Sequence, residues 1–377
     1  PFRPGAFSSR LHNPRVAVVI GRLLGICFTV CFLTGLYSHY LQEPAGWMSF
    51  PTGPSWLYQL SQGTHVATGI ACIPLLLAKL WTVYPRLFEW PPVRSIGNAL
   101  ERLSIAVFVA SSLLQLFMGL LNTLQWYPWP FYFRQTHFFL SWVIIGSLLI
   151  HVAVKLPLIA QHWRRVRSEQ LEPPGLPSAG AWSRRGFFSA VGLTVAAATV
   201  TTVGQSFSPL QRLNLFAPRQ PSHGPQGLVI NRTAEEAGVL QSARSADWRL
   251  EIAGPRHATL TLGDLNRMPQ LESTLPIACV EGWSRTARWG GVRIRDLLRH
   301  VGAPPHSRLR VISLEQFGPF AQMEMGPEFA ADELTLLALR LHGEVLDIQH
   351  GYPARIIAPA RPGVLQTKWV RRIEVLR

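Results

Sequence analysis

Cys279 is the residue of the C-terminal part of the chain with the clearest capacity for chemistry. It follows an apolar run at the predicted end of a strand and precedes Glu281-Gly282-Trp283, a turn that would hold its sulfur open. A thiolate is a strong ligand for soft metals, whereas an isolated cysteine in an apolar strand is ordinarily a small core residue. The other cysteines, Cys27, Cys31 and Cys72, lie in long apolar runs, so no disulfide partner exists within the same domain. The sequence therefore predicts a metal ligand at Cys279.

Three histidines lie inside long apolar runs. Burying an ionisable side chain in a membrane costs free energy, so such a residue commonly has a function. His137 and His151 are fourteen residues apart in one run, which in a helix gives a rise of about 21 Å and a return to within about 40° of the same face. His65 lies in another run, at a depth similar to that of His137. Because helical bundles hold haem between side chains of facing helices, we predict His65 and His137 as axial ligands of a haem b, with His151 as a further haem ligand.

Several alternatives stay open for these histidines. Lys79 is level with His151 and is a candidate partner, although a lysine reaching for the lipid headgroups is the simpler interpretation. His39 would replace either ligand of the first haem, although a lone histidine at the end of a span more often meets water. A hydrogen bond between helices is the structural alternative to haem ligation for His65, His137 and His151. The number of haems is therefore one or two.

Five apolar runs are long enough to cross about 30 Å of hydrocarbon as helices. Four of them form the predicted haem-binding bundle, a membrane α-helical domain in residues 1–165. The fifth, rich in Ala, Val and Thr, is a connecting span in residues 166–205. The five runs are residues 16–37, 57–84, 103–121, 133–158 and 187–205.

The distribution of charge indicates the orientation of these spans. The chain has 36 Lys and Arg against 21 Asp and Glu, and 15 of the basic but only five of the acidic residues lie in residues 1–205. Most of the basic residues lie in short connections on one side of the spans, which places the N-terminus in the cytoplasm and is not typical of a protein that binds nucleic acid. They are Arg3, Arg10, Arg15, Lys79, Arg86, Arg94, Arg102, Lys155, Arg164, Arg165, Arg167, Arg184 and Arg185.

A short motif stands just before the fifth run. Ser183-Arg184-Arg185-Gly186-Phe187-Phe188 resembles a twin-arginine translocation signal, which exports proteins already folded around a cofactor. Two cytoplasmic arginines that flank a helix are the other interpretation. In both cases the fifth span leads outward, so we expect a multi-pass protein of a bacterial inner membrane with residues 206–377 in the periplasm.

Residues 206–377 alternate short apolar runs with Gly, Pro and Asp turns, a pattern typical of a mainly β, α+β domain. Four of the runs predict strands, and three other segments predict helices. The predicted strands are residues 248–253, 308–314, 355–358 and 369–376, and the predicted helices are residues 260–268, 294–301 and 332–341.

Several segments carry a resemblance to known families. Cys279-Val280-Glu281-Gly282-Trp283-Ser284 resembles the cysteine loop of sulfite oxidase-type molybdoenzymes, which include periplasmic protein-methionine-sulfoxide reductases. Trp289-Gly290-Gly291-Val292 also fits this family. His350-Gly351-Tyr352-Pro353-Ala354-Arg355 and Gln366-Thr367-Lys368-Trp369-Val370 are similar to its pterin-phosphate segments. Residues 14–165 resemble, in architecture, cytochrome b561 and ferric-reductase-like membrane bundles.

The resemblance implies that Cys279 ligates molybdenum and that other residues hold the molybdopterin. Arg355 and Lys368 would bind the pterin phosphate as a guanidinium fork and a point charge. Backbone amides near Gln366 and Thr367 would add donors, and His350 would bond the pterin. Three further pterin contacts are implied earlier in the domain, namely Asn231, Arg232 and Ser313.

The two halves together predict a membrane-bound molybdenum oxidoreductase. Oxygen-atom transfer at Mo-molybdopterin outside the cytoplasm would be coupled through haem b to the quinone pool. We expect no second, immunoglobulin-like domain after Arg377, which favours reduction of a small or protein-bound S-oxide or N-oxide over oxidation of sulfite. The substrate, the direction of electron flow and the oligomeric state stay open.

Two other functions compete with this prediction. A transmembrane ferric or quinone reductase, in which the C-terminal domain only docks a partner, predicts haem without molybdenum. A redox-sensing or interaction protein predicts no cofactor in the C-terminal domain. The joint presence of Cys279, Arg355 and Lys368 favours the molybdenum enzyme over both.

Overall fold

The computed structural model describes residues 11–88, 93–163 and 183–376. Residues 166–182 of the predicted connecting region lie outside the described residues, as do Arg3, Arg10, Arg164, Arg165 and Arg167, which contribute to the predicted orientation. The chain divides into two compact units. The helical unit contains Pro1–Leu36, Thr64–Val203 and Leu213–Phe216, and the sheet unit contains Tyr37–Gly63, Gly204–Arg212 and Ala217–Arg377.

Five helices are long and apolar enough to cross a membrane, which confirms the five helices predicted from the apolar runs. α3 begins seven residues before its run, because Ser95 caps it by accepting the N–H of Asn98 at 3.1 Å. The five helices are α1 (Pro14–Gln42), α2 (Leu57–Val83), α3 (Ile96–Thr123), α4 (Phe133–Trp163) and α5 (Arg184–Val203).

The helical unit buries one apolar cluster and leaves other apolar faces open. Leu149 and Leu193 are 66% and 72% exposed. Exposed leucines of this kind are expected where the surrounding solvent is lipid, since lipid tails are as apolar as the side chains. The buried residues of the cluster are Leu24, Phe28, Cys72, Leu75, Leu76 and Ile144.

The sheet unit contains ten described strands and four short helices. The strands are β1 (Arg249–Ala253), β2 (His257–Thr261), β3 (Gln270–Ala278), β4 (Ser284–Arg293), β5 (Arg308–Ser313), β6 (Gln322–Met325), β7 (Leu336–Leu341), β8 (Glu344–Val345), β9 (Arg355–Ile357) and β10 (Val370–Leu376). The helices are α6 (Leu240–Arg244), α7 (Leu262–Arg267), α8 (Ile294–His300) and α9 (Pro327–Ala331). They confirm the mainly β, α+β prediction for this part of the chain.

These strands form two five-stranded sheets. The first has the order β2-β1-β10-β5-β6, and the second has the order β3-β4-β7-β8 with β9 also paired to β7. β1 and β10 are parallel, and the other neighbouring strands are antiparallel. The second sheet matters most for function, because β3 ends immediately before Cys279 and β9 begins with Arg355.

The helix predicted for residues 332–341 is wrong. Residues 336–341 form β7, which pairs with β4 on one side and with β9 on the other. Leu and Ala have high intrinsic helix propensity, but this run is buried on both faces, as a central strand is. Periodicity does not separate a buried strand from a buried helix in so short a run, so the pairing with β4 decides.

The pairing of β4 with β7 depends on Gly291. The register shifts between Gly290 and Gly291, and the two backbones approach closely there. A Cβ at Gly291 would lie 2.1 Å from the carbonyl oxygen of Leu337 and 2.7 Å from the Cα of Ala338. Only glycine fits, because both neighbours are backbone atoms of a buried strand.

We expect Gly291→Ala to lower the stability of the sheet unit by about 1–3 kcal/mol, because β4 and β7 must separate to admit the methyl group. The measurement is the thermal unfolding midpoint of the detergent-purified protein. Gly290→Ala is the matched control, since a Cβ there would lie 3.4 Å from the Cβ of Arg340, in ordinary contact. Equal midpoints for the two variants would contradict the close approach at Gly291.

Candidate active site

Cys279 lies in a tight hairpin between β3 and β4. Its N–H donates to the carbonyl oxygen of Trp283 at 2.8 Å, and its carbonyl oxygen accepts the N–H of Gly282 at 3.0 Å. Gly282 has a φ of 98°, a left-handed conformation that favours glycine. The side chain of Cys279 is buried, with 3% of its surface exposed. The Glu-Gly-Trp turn predicted from the sequence is therefore present and holds the cysteine at the strand end, but the expectation that it keeps the sulfur open is wrong, because the side chain is buried.

Asn231 is the side chain that faces the sulfur. Its Nδ2 donates to Sγ of Cys279 at 3.0 Å and to a carboxylate oxygen of Glu281 at 2.7 Å. The indole N–H of Trp283 donates to Oδ1 of Asn231 at 3.0 Å. Because the indole occupies the amide oxygen, the amide nitrogen must face the sulfur. The structure thus brings Asn231 and Cys279 together, although the sequence suggests them as separate contacts.

The electrostatic setting of Cys279 disfavours a free thiolate. Burial raises the pKa of the Cys279 thiol well above its usual range, and the charge of Glu281 adds to this effect. Such a cysteine stays a neutral thiol unless a cation binds it. A metal ion reverses the balance, since metal binding releases the thiol proton. The arrangement is therefore suited to a metal ligand and is poorly suited to an unassisted nucleophile.

Arg355 and Lys368 are buried cations near one another. The guanidinium of Arg355 lies 5.1 Å from the centroid of the Trp289 ring and donates to the carbonyl oxygen of His350 at 3.0 Å. Nζ of Lys368 donates to the carbonyl oxygens of Arg232 and Gln349, both at 2.8 Å. Within the described part of the chain, neither cation has a carboxylate within 4.0 Å.

The pKa values reflect this lack of a counter-charge. Burial lowers the pKa of Arg355 to about 9. Burial, and then the charge of Arg355, lowers the pKa of Lys368 to about 7. An anion between the two groups would offset both effects, because it favours the charged form of each. The pair therefore fits a phosphate group.

Polar atoms next to these cations lack partners of their own. Oε1 of Gln366, Oγ1 of Thr367 and Nε of Arg355 are buried and have no hydrogen-bond partner among the described residues. Buried polar groups without partners are rare in native proteins and point to a missing ligand or water. These orphaned atoms lie on residues that the resemblance assigns to the pterin phosphate, so the residues fit an anionic pterin cofactor.

The remaining predicted pterin contacts have protein partners. Nε2 of His350 donates to the carbonyl oxygen of Pro225 at 2.7 Å, and burial lowers the pKa of His350 to about 4, so the ring is neutral. Arg232 forms a 2.6 Å ion pair with Glu315. Oγ of Ser313 donates to the carbonyl oxygen of Lys368 at 2.8 Å. The direct pterin contacts of these three residues stay predictions.

Gly351 allows the two cation-bearing segments to approach each other. Its φ is 109°, and a Cβ there would lie 3.1 Å from both Cβ of Arg355 and Cβ of Lys368. The N–H of Trp369 donates to the carbonyl oxygen of Gly351 at 3.3 Å. This one glycine therefore explains why the two motifs that contain Gly351 and Lys368 meet in space.

Arg361 is a buried cation that the sequence prediction misses. Its Nη2 donates to the carbonyl oxygen of Glu324 at 2.6 Å, and its guanidinium lies 5.2 Å from the centroid of the Phe329 ring. Burial lowers its pKa to about 10. The only signal in the sequence is its position in Ala358-Pro359-Ala360-Arg361-Pro362-Gly363, a turn between the two predicted phosphate ligands.

In the helical unit, His65 and His137 face each other. Their ring centroids are 6.2 Å apart at an angle of 73°. Nδ1 of His65 lies 2.8 Å from the carbonyl oxygen of Cys31, which can only accept, so Nδ1 carries the proton and Nε2 is free to bind a metal. Nδ1 of His137 is buried and has no partner among the described residues. This pair fits two axial ligands of one haem.

His151, Lys79 and His39 have other neighbours. The ring of His151 stacks on Phe108 with centroids 6.0 Å apart. Nζ of Lys79 donates to the carbonyl oxygen of Ala17 at 2.7 Å. His39 lies 3.8 Å from the carboxylate of Glu43. Haem ligation by His151 stays a prediction. Among the described residues, no second histidine faces His151 as His137 faces His65.

Comparison with known proteins identifies the C-terminal part of the chain. Residues 237–377 match the family model described as oxidoreductase molybdopterin binding domain. The chain is 30% identical over 162 residues to the protein-methionine-sulfoxide reductase catalytic subunit MsrP of Gluconobacter oxydans, covering 38% of this chain and 51% of that protein. It is 32% identical over 155 residues to MsrP of Ralstonia nicotianae, with coverages of 37% and 46%. It is 30% identical over 166 residues to sulfite oxidase of Gallus gallus, covering 36% of each.

The chain thus spans about half or less of the length of these relatives. The comparison confirms a molybdopterin-binding oxidoreductase domain in residues 237–377, and this part of the chain is similar to MsrP and to sulfite oxidase. The resemblance of residues 14–165 to haem-binding membrane bundles stays a prediction.

We expect cofactor-free protein to bind sulfate, a dianion that stands in for the pterin phosphate, about tenfold more weakly at pH 8 than at pH 6. The lowered pKa of Lys368, about 7, leaves the amine mostly neutral at the higher pH, and only the ammonium attracts the anion. Sulfate affinity is measured by calorimetry across this range. Lys368→Met should bind weakly at both values, and a wild-type affinity independent of pH would contradict the assignment.

Proposed function

We propose that this protein is a membrane-bound molybdenum oxidoreductase that couples oxygen-atom transfer at Mo-molybdopterin to electron transfer through haem b and the quinone pool. The single observation that carries the proposal is the arrangement around Cys279. A buried thiol hydrogen-bonded by Asn231 shares one compact unit with two buried cations, Arg355 and Lys368, that have no carboxylate within 4.0 Å among the residues that the structure describes.

The residues of the sheet unit would hold the cofactor at both ends. Cys279 would ligate the metal through its thiolate, and the amide of Asn231 would donate a hydrogen bond to that sulfur. Arg355 and Lys368 would bind the phosphate, with Thr367 and Gln366 as further partners. When bound, the molybdenum cofactor supplies two-electron oxygen-atom transfer. The chain itself supplies ligation, orientation and a site shielded from water.

We propose reduction of an S-oxide or N-oxide as the direction of the reaction. A sulfoxide, two electrons and two protons give a thioether and water. The relatives named protein-methionine-sulfoxide reductase support the sulfoxide as substrate class. The similarity to a sulfite oxidase supports the opposite direction, in which sulfite and water give sulfate, two electrons and two protons.

The electrons would pass through the helical unit. His65 and His137 would ligate a haem b, which accepts electrons singly from quinol. His151 would contribute to a second haem if two are present. The five candidate spans and the basic residues on one side of them support a bacterial inner-membrane location, with a cytoplasmic N-terminus and a periplasmic sheet unit.

We expect about one molybdenum per chain in the detergent-purified protein and reduction of methionine sulfoxide with a dye electron donor. Cys279→Ala should abolish this activity, because it removes the thiolate ligand, while its haem absorbance should be unchanged. Metal analysis measures the molybdenum content, and a reductase assay measures the activity. Cys27→Ala is the control, since this residue lies in α1. Haem without molybdenum in matured wild-type protein would favour a membrane ferric or quinone reductase instead.

We expect His65→Ala and His137→Ala each to lose the reduced low-spin b-type absorbance, because each removes an axial ligand. Visible spectroscopy of dithionite-reduced protein is the measurement. His39→Ala is the matched control and should keep the spectrum, and His151→Ala should halve the absorbance only if a second haem is present. A spectrum lost in His39→Ala but kept in His137→Ala would overturn the assignment.

A further inference from the structure

The hairpin of Cys279 has contacts outside residues 217–377. The sheet unit also contains Tyr37–Gly63, which includes the first two turns of α2, and Gly204–Arg212. Both segments donate or accept hydrogen bonds at the hairpin. A loop that depends on two distant segments is held more rigidly than its own two backbone hydrogen bonds would allow.

Two glutamines of α2 bracket the hairpin. Nε2 of Gln62 donates to the carbonyl oxygen of Val280 at 2.8 Å. Nε2 of Gln59 donates to Oγ of Ser284 at 2.9 Å. Val280 directly follows Cys279, and Ser284 closes the hairpin on the other side. Glutamines three residues apart lie on one face of a helix, so α2 donates hydrogen bonds to both ends of the loop.

The orientation of the Gln62 amide is fixed by a buried tyrosine. The hydroxyl of Tyr58 lies 2.9 Å from Oγ of Ser38 and donates to Oε1 of Gln62 at 3.4 Å. Tyr58 is 1% exposed and Gln62 is 5% exposed. Since the amide oxygen is occupied by the hydroxyl, the amide nitrogen must face Val280. A reversed amide would leave buried polar groups unpaired, which is costly.

The segment 204–207 adds a second layer. The N–H of Ser284 donates to the carbonyl oxygen of Gln205 at 2.7 Å, and Oγ of Ser206 donates to the carbonyl oxygen of Gly282. A Cβ at Gly63 would lie 2.5 Å from the Phe207 ring, so glycine gives this ring its place against α2. The segment is therefore packed between the start of α2 and the hairpin.

A single peptide group, Val280–Glu281, connects the hydrogen bond of Gln62 with the sulfur of Cys279. The carbonyl of Val280 and the N–H of Glu281 belong to the same planar peptide and point in opposite directions. The N–H of Glu281 is hydrogen-bonded to the sulfur of Cys279. A donor on the carbonyl side therefore fixes the orientation of this peptide, and with it the direction of the N–H that faces the sulfur.

We propose that Gln59 and Gln62, which we term the α2 brace, are positioning residues that aim the Val280–Glu281 peptide and the sulfur of Cys279 at the molybdenum site. The inference rests on the proposed function. Both glutamines belong to the sheet unit and lie at the start of α2, a helix that is apolar enough to cross a membrane. Loss of a residue that orients a metal ligand typically costs about 10–100-fold in metal affinity or activity.

The test uses the full chain with Gln62→Met, which keeps the side-chain length but removes both amide atoms. Gln270→Met is the matched control, since Gln270 also donates to backbone carbonyl oxygens, at the far end of β3. In cofactor-free protein, iodoacetamide should alkylate Cys279 about tenfold faster in Gln62→Met than in wild type, because the sulfur is buried and a hairpin that is held less tightly opens to the reagent more often. The rate is followed by peptide mass spectrometry, with Cys72 as the internal reference.

In the loaded enzyme, Gln62→Met should retain its molybdenum but show a shifted Mo(V) paramagnetic resonance signal. The kcat should fall about tenfold with KM unchanged, because the ligand geometry and not substrate binding is altered. If this variant does not accumulate, Gln62→Asn, whose amide is too short to reach Val280, replaces it.

Two outcomes would overturn the inference. One is an alkylation rate and a resonance signal equal to those of wild type. The other is loss of molybdenum in parallel with activity and with an unchanged signal per metal, which indicates a merely structural role. Absence of molybdenum from wild type would instead contradict the proposed function, and the alkylation rates would still decide whether the brace positions Cys279.

Discussion

The burial of positive charge without a carboxylate partner is the interaction around which the sheet unit is arranged. Arg355 and Lys368 donate to backbone carbonyl oxygens and lie against aromatic rings, with no carboxylate within 4.0 Å among the described residues, and burial lowers the pKa of each. A protein accepts this cost when an anion completes the site. The left-handed Gly351 lets the two segments approach, and the hydroxyl of Thr367 has no partner among the described residues, as an anion site would require.

The cysteine end of the site is suited to a cation, whereas the end with Arg355 and Lys368 is suited to an anion. Cys279 is buried, neutral when free and surrounded by donors, namely the amide of Asn231 and the N–H of Glu281. Donors near a sulfur stabilise a thiolate only after a cation has driven off the proton. The sheet unit therefore offers an anion site and a cation-dependent sulfur site together. A metal bound through an anionic organic cofactor satisfies both, which is why the residues present fit molybdopterin.

The helical unit meets a different constraint, because polar groups in an apolar surrounding need partners within the protein. His65 meets this need by donating from Nδ1 to the Cys31 carbonyl oxygen, which leaves its other nitrogen available. Lys79 donates to the carbonyl oxygen of Ala17. These local bonds decide what each side chain offers. His65 keeps a free lone pair opposite His137, whereas the ammonium of Lys79 is engaged by the backbone.

The sequence by itself determined features that depend on neighbours along the chain. Apolar length determined the five helices and turn chemistry determined the hairpin after Cys279, while the local motifs predicted Arg355 and Lys368 as ligands of a pterin phosphate. Contacts between distant segments were decided only by the tertiary structure. Residues 336–341 are a strand because β4 and β9 pair with them, against their helix propensity. Gln62 donates to the carbonyl oxygen of Val280, 218 residues away, and Arg361 is buried against the ring of Phe329. Neither contact can be read from the neighbouring residues in the sequence. Periodicity and propensity report on a few turns of chain, whereas hydrogen bonds across the fold depend on which surfaces meet.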